Sequence, residues 1–211
     1  MPDNLDRPGT ASDLLYQRHQ IKFYVDGSFP AFVKSELRGA LELACDHLTL
    51  ESIDRHPLYD CALNHVTEPV HRDWFLYLLG LWHDLFHGSP NGFPIRATRR
   101  GRVSGYFIVR IVQLWGEPPN ATGQFTAGRA YVGNFYNGPS VIAMTREWIN
   151  GEYTFDYPTL SQIAGTVVHE MLHTFGLDHP EDDTGTFINE YGDCIPRVNG
   201  ELTDEYGLAL H

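Results

Sequence analysis

The stretch HEMLHTFGLDHP, from His169 to Pro180, constrains this chain more than any other part of it. His169 and His173 are four apart, so on a helix they share one face about a turn from each other. A third ligand for a tetrahedral ion cannot come from that same turn, so the chain must leave the helix and double back. Gly176 allows this, because glycine enters the left-handed backbone conformation that ends a helix at little cost. His179 then arrives from a second direction, and Pro180 prevents the helical geometry from resuming. Three imidazoles converging in this way are the donor set of a catalytic zinc ion, with a fourth position left for water. Glu170 lies beside the first histidine and is placed to take a proton from that water, because zinc lowers its pKa to roughly 7.

The surrounding sequence predicts the helix that this geometry needs. Thr159 can cap its start, and Gln162 three residues later completes a capping box. Leu160, Ile163, Ala164, Val167, Val168, Met171, Leu172 and Phe175 recur at helical spacing and form a buried stripe. At this chain's own composition, three histidines, a glutamate and a glycine so spaced arise by chance in about one such chain in ten thousand. A helix with surface histidines has no need of the glycine break or the third histidine, so the metal reading is preferred.

Upstream, IKFYVD (21–26) alternates as a short strand. AFVKSELRGALELACDHLTL predicts a long amphipathic helix through Phe32, Val33, Leu37, Leu41, Ala44, Cys45 and Leu48. SGYFIVRIVQLWG and GPSVIAMT are rich in β-branched and aromatic residues and read as strands, with GRAYVGNFYNG as a further strand between them. HRDWFLYLLGLWHDLFHG (71–88) predicts a helix before the break at SPNGFP, and Thr203 is a candidate cap for a short terminal helix. Residues 1–20 are polar, broken by Pro2, Pro8 and Gly9, and read as a flexible arm. Residues 21–211 then form one domain, with a helical insertion around 51–100.

With 211 residues and 42% hydrophobic content, the chain can build a single proper core. A net charge of -12 argues against a nucleic-acid partner, and no apolar run reaches membrane-spanning length. The first twenty residues lack a cationic start followed by an apolar stretch, so no signal peptide is expected. That leaves the compartment open between the cytoplasm and secretion after loss of a leader. Three cysteines, Cys45, Cys61 and Cys194, allow one bridge and a free thiol, or three free thiols.

The HExxHxxGxxH pattern at His169–His179 resembles the signature of the metzincin zinc metallopeptidases, and VVHEMLHTFGLDHP is most similar to the matrixin-like catalytic domains. The resemblance implies Zn2+ held by His169, His173 and His179, with Glu170 as general base in peptide-bond hydrolysis of a protein or peptide substrate. It implies an α+β fold: a twisted mixed sheet with two long helices, then a small irregular C-terminal subdomain with a terminal helix. It also implies an antiparallel edge strand that receives substrate by strand addition, for which GRAYVGNFY is the candidate.

The chain departs from that pattern in one place. Metzincins set a methionine in a tight turn below the metal, and the three methionines here, Met1, Met144 and Met171, all precede His179. YGDCIPRV offers the matching turn with Cys194 in the methionine's place; an ordinary buried cysteine or a disulfide partner is the competing reading. Tyr191 and Tyr206 are candidates, by position alone, for the transition-state hydrogen bond that some of these families use. Three further features lie outside the main motif. His83 and His87 in HDLFH read as packed side chains, with a second metal site as the sharper alternative. Asp182 and Asp183 in HPEDDTGT offer a Ca2+ site or a solvated loop. RATRRGR reads as a solvated loop, or else as a processing or docking site. Two other functions compete with a general endopeptidase: a zinc-bearing peptide- or protein-binding pseudoenzyme, and a peptidase dedicated to one partner.

Overall fold

The computed structural model describes residues 13–19, 21–48, 57–65, 107–114, 119–120, 123, 125–132, 140–153, 157–179 and 186–201. Several sequence readings lie outside these residues: the helix at 71–88 with His83 and His87, the basic run, Asp182, Asp183, Tyr206 and the terminal helix.

The fold is α+β. Strands β1 (Asp13–Arg18), β2 (Ile21–Val25), β3 (Phe107–Leu114), β4 (Gly128–Ala130) and β5 (Ser140–Thr145) form one sheet in the order β1-β2-β3-β5-β4. β1 and β2 are antiparallel, β2–β3 and β3–β5 are parallel, and β4 runs antiparallel to β5. The sheet is therefore mixed. Asp13–Arg18, expected to belong to the flexible arm, instead pairs with β2 as the outermost strand on that side among the described residues. Its carbonyls and N–H groups find partners in β2, which local polarity and two prolines do not reveal.

The predicted helix after Pro30 is α1 (Ala31–Leu48), and α2 (Pro57–His65) begins with proline at a first-turn position, where a missing N–H costs nothing. A single turn, α3 (Arg146–Ile149), follows β5, and α4 (Leu160–Thr174) carries the histidine motif. α5 (Phe187–Val198) closes the described chain.

Alternation puts Ile21, Phe23 and Val25 of β2, Val109 and Ile111 of β3, and Ile142 and Met144 of β5 on one face. There they share a core with Val33, Leu37 and Leu41 of α1 and Ile163, Val167 and Met171 of α4. Val112, Leu114 and Ala143 face the other way and form a separate small cluster. Burying a side chain of this kind stabilises the fold by about 1.5–3 kcal/mol each, and that drives α1 and α4 onto the sheet. A buried link adds register between layers: Ser140 Oγ donates to Thr174 Oγ1 at 3.0 Å, and Thr174 Oγ1 donates to the Met171 carbonyl at 2.8 Å.

The region after Gly176 differs from the irregular subdomain expected there. Residues 187–198 are helical and pack against α4 and α2. Phe187, Ile188, Tyr191, Cys194 and Ile195 are all buried, and their spacing is that of one helix face. YGDCIPRV is therefore not a tight turn beneath the metal. Burial of this face holds the helix even with Pro196 inside it. Cys194 does not stand in for a methionine either. It is bonded to Cys61, 133 residues away, and the disulfide ties α5 to α2. Cys45 is the free, buried cysteine.

Candidate metal centre

The site is built from the end of α4. Thr159 and Gln162 make both bonds of the capping box: Gln162 N–H donates to Thr159 Oγ1 at 3.2 Å, and Thr159 N–H donates to Gln162 Oε1 at 2.9 Å. This sets the helix start, and with it the angular position of His169 and His173, roughly two and a half and three and a half turns later.

At the other end the helix stops in a Schellman motif. Gly176 has φ of 100°, its N–H donates to the His173 carbonyl at 2.9 Å, and the Leu177 N–H donates to the Leu172 carbonyl at 3.2 Å. The same turn orients a ligand. His173 Nδ1 lies 2.9 Å from the Leu177 carbonyl, which can only accept, so Nδ1 carries the proton and Nε2 keeps its lone pair for a metal.

His179 then folds back onto the pair. The three imidazole centroids are 4.8–5.0 Å apart, and one ligand nitrogen from each lies within 4.8 Å of the others. A tetrahedral zinc with bonds of about 2.0–2.1 Å needs its ligand atoms roughly 3.4 Å apart, a contraction within reach of small side-chain rotations. All three predicted ligands are thus brought together.

Glu170 sits beside them, 4% exposed, and its Oε2 has no hydrogen-bond partner among the described residues. Burial pushes its carboxyl up to about 8, with Arg129 acting in the opposite direction. An orphaned buried carboxylate next to three convergent imidazoles is the arrangement that a bound cation and its water would complete. On this test the residues fit a zinc ion.

Two contacts position Glu170 and His169, and both involve glycines whose part the motif alone did not reveal. A Cβ on Gly128 of β4 would lie 2.8 Å from Glu170 Oε1 and 2.9 Å from its Cγ, so the carboxylate packs directly against the edge-strand backbone. Behind the site, a Cβ on Gly165 of α4 would lie 2.5 Å from the Gly192 carbonyl oxygen of α5. A Cβ on Gly192 would lie 2.9 Å from the Gly165 carbonyl oxygen and 3.2 Å from the Cβ of His169. Glycine in both helices lets the two backbones touch, which puts α5 rather than a methionine turn behind His169. Pro196 cannot donate the helical bond to the Gly192 carbonyl, the group that faces Gly165. Glycines at positions 165 and 192, in otherwise apolar faces, are the sequence signal of this close helix approach.

Tyr191 is fully buried and packs against Phe187 with ring centroids 5.4 Å apart, so it is a core residue and not a group open to substrate. Comparison with protein-family models, curated proteins and solved structures finds no match.

Proposed function

We propose that the chain is a zinc-dependent endopeptidase of metzincin-like type. The observation that carries this reading is the convergence of His169, His173 and His179 around one point, with the unpartnered carboxylate of Glu170 beside it. Zinc bound by the three histidines would supply Lewis acidity, lowering the pKa of water to roughly 7 and polarising a substrate carbonyl.

The remaining steps belong to the protein. His173, held in one tautomer by the Leu177 carbonyl, keeps its ligand nitrogen aimed inward. Glu170 takes the proton from the attacking water and returns it to the leaving amine. Burial raises its carboxyl in the metal-free chain, and the charge of a bound zinc would oppose that shift and favour the ionised form that a base requires. β4, the terminal strand on this side among the described residues and antiparallel to β5, would take the substrate backbone by strand addition. Gly128 keeps that strand close to the base. The Cys61–Cys194 bridge favours an oxidising compartment.

The test is metal analysis combined with digestion of a peptide library by wild type and Glu170→Ala. Both proteins should hold one zinc, and only the wild type should cleave. A folded wild type that holds zinc and cleaves nothing would overturn the peptidase reading and leave a zinc-bearing binding protein.

A further inference from the structure

We infer that Arg129 on the edge strand selects substrates with an acidic residue next to the one that faces the metal centre. The inference rests on the peptidase reading and adds a substrate class to it.

The geometry comes from the register of β4. Gly128 pairs with Met144 and Ala130 with Ile142, and those partners lie on the helix-covered face. Arg129 pairs with Ala143, which belongs to the cluster on the opposite face. Side chains alternate along a strand, so Gly128 and Arg129 present to opposite sides of the sheet. Gly128 is the residue against which Glu170 packs. A peptide added to the outer edge of β4 obeys the same alternation. Its residue beside Gly128 directs its side chain toward Glu170 and the histidines. Its neighbour beside Arg129 directs its side chain to Arg129's own face, as a direct cross-strand pair.

Directly opposed side chains in a sheet lie about 4.5–5.5 Å apart, and opposite charges at that distance stabilise while like charges destabilise. Arg129 is exposed, so its guanidinium meets the substrate at the rim and not in the core. It is a local positive charge on a chain whose formal net charge is -12. The rest of the surface would repel an acidic peptide at long range, so the preference must be local and tied to one substrate position.

The experiment uses zinc-loaded full-length protein and peptides carrying Glu, Gln or Lys at each position flanking the cleaved bond. Wild type should favour Glu over Gln at one flanking position by about 1.4- to 5-fold in kcat/KM, with Lys disfavoured by a similar factor. Molar salt should flatten the difference. Arg129→Gln should remove the preference, and Arg129→Glu should invert it, both without loss of zinc. Binding of the same peptides to zinc-loaded Glu170→Gln, read by fluorescence anisotropy, should follow the same order without turnover. Equal treatment of Glu, Gln and Lys by wild type, or an unchanged order in Arg129→Glu, overturns the inference while leaving the peptidase reading intact. Absence of both cleavage and peptide binding in wild type overturns both.

Discussion

Breaking the Cys61–Cys194 bridge should destabilise the protein and loosen the wall of the metal site behind His169. The bridge spans 133 residues and joins α2 to α5. In the chain-entropy account, a loop of that length restricts the unfolded chain by about 5 kcal/mol, and removal of native disulfides costs about 2–5 kcal/mol in practice. For a protein of 211 residues this corresponds to a fall in Tm of roughly 5–20 °C. Cys194 is fully buried, so Cys194→Ser would add an unpaired hydroxyl to the core and confuse the result. Cys61→Ser, at a half-buried position, and the double change to alanine are cleaner. Urea denaturation gives the stability loss. Zinc competition gives the second readout, because α5 touches α4 at Gly165 and lies beside the Cβ of His169. Zinc affinity should fall in parallel with stability, and reductant should reproduce both effects in wild type and neither in the variants. Thiol titration checks the premise: the denatured, unreduced protein should show one thiol, Cys45, and three after reduction. Three thiols before reduction, or a stability loss below about 1 kcal/mol, would refute the argument.

Other outcomes follow from the same geometry. Glu170→Ala should lower kcat/KM by about 10²–10⁴-fold while zinc content stays at one per chain, read by metal analysis and peptide cleavage. Gly128→Ala places a methyl group 2.8 Å from Glu170 Oε1; the displaced base should lower kcat by up to about 100-fold with zinc affinity retained. Gly165→Ala drives a Cβ to 2.5 Å from the Gly192 carbonyl, and backbone cannot yield as a side chain can. Overpacking of about 1–3 kcal/mol should outweigh the roughly 1 kcal/mol that alanine contributes to a helix, giving a net stability loss in urea melts. In the metal-free protein the Glu170 carboxyl is raised from 4.5 to about 8, so the folded state holds its proton more tightly than the unfolded state. That contribution is complete below about pH 4.5 and is lost as pH rises toward 8, with a slope of at most about 1.4 kcal/mol per pH unit. Glu170→Gln should remove the slope, as measured by chelator-treated melts across pH. Cys45, pushed up to about 12 by burial, should resist alkylation at pH 8 until the protein unfolds.

The elements read most directly from sequence are those whose signals are local. Thr159 and Gln162 form the box that their spacing announced, Gly176 takes the left-handed conformation, and Ile21, Phe23 and Val25 alternate inward. Each depends on a few neighbouring residues and on backbone chemistry that needs no distant partner. The errors came where distant partners decide. Asp13–Arg18 looked like a loose arm because nothing nearby shows that β2 will accept it as a strand. Residues 191–198 read as a turn from their likeness to the methionine turn, and the helix that contains them is held by packing on α4 and α2.

The sequence by itself determined the donor set of the candidate site. Histidines four apart, a glutamate between them, a glycine stop and a returning histidine leave one compatible local geometry, and the three imidazoles meet in it. Only the tertiary structure decided what surrounds them. The seat of Glu170 against Gly128, the contact of Gly165 with Gly192, and the pairing of Cys194 with Cys61 join residues tens of positions or more apart. Such contacts have no periodicity along the chain. They exist because burying the faces of α1, α4 and α5 brings these backbones together, and the ligand spacing carries no record of that packing.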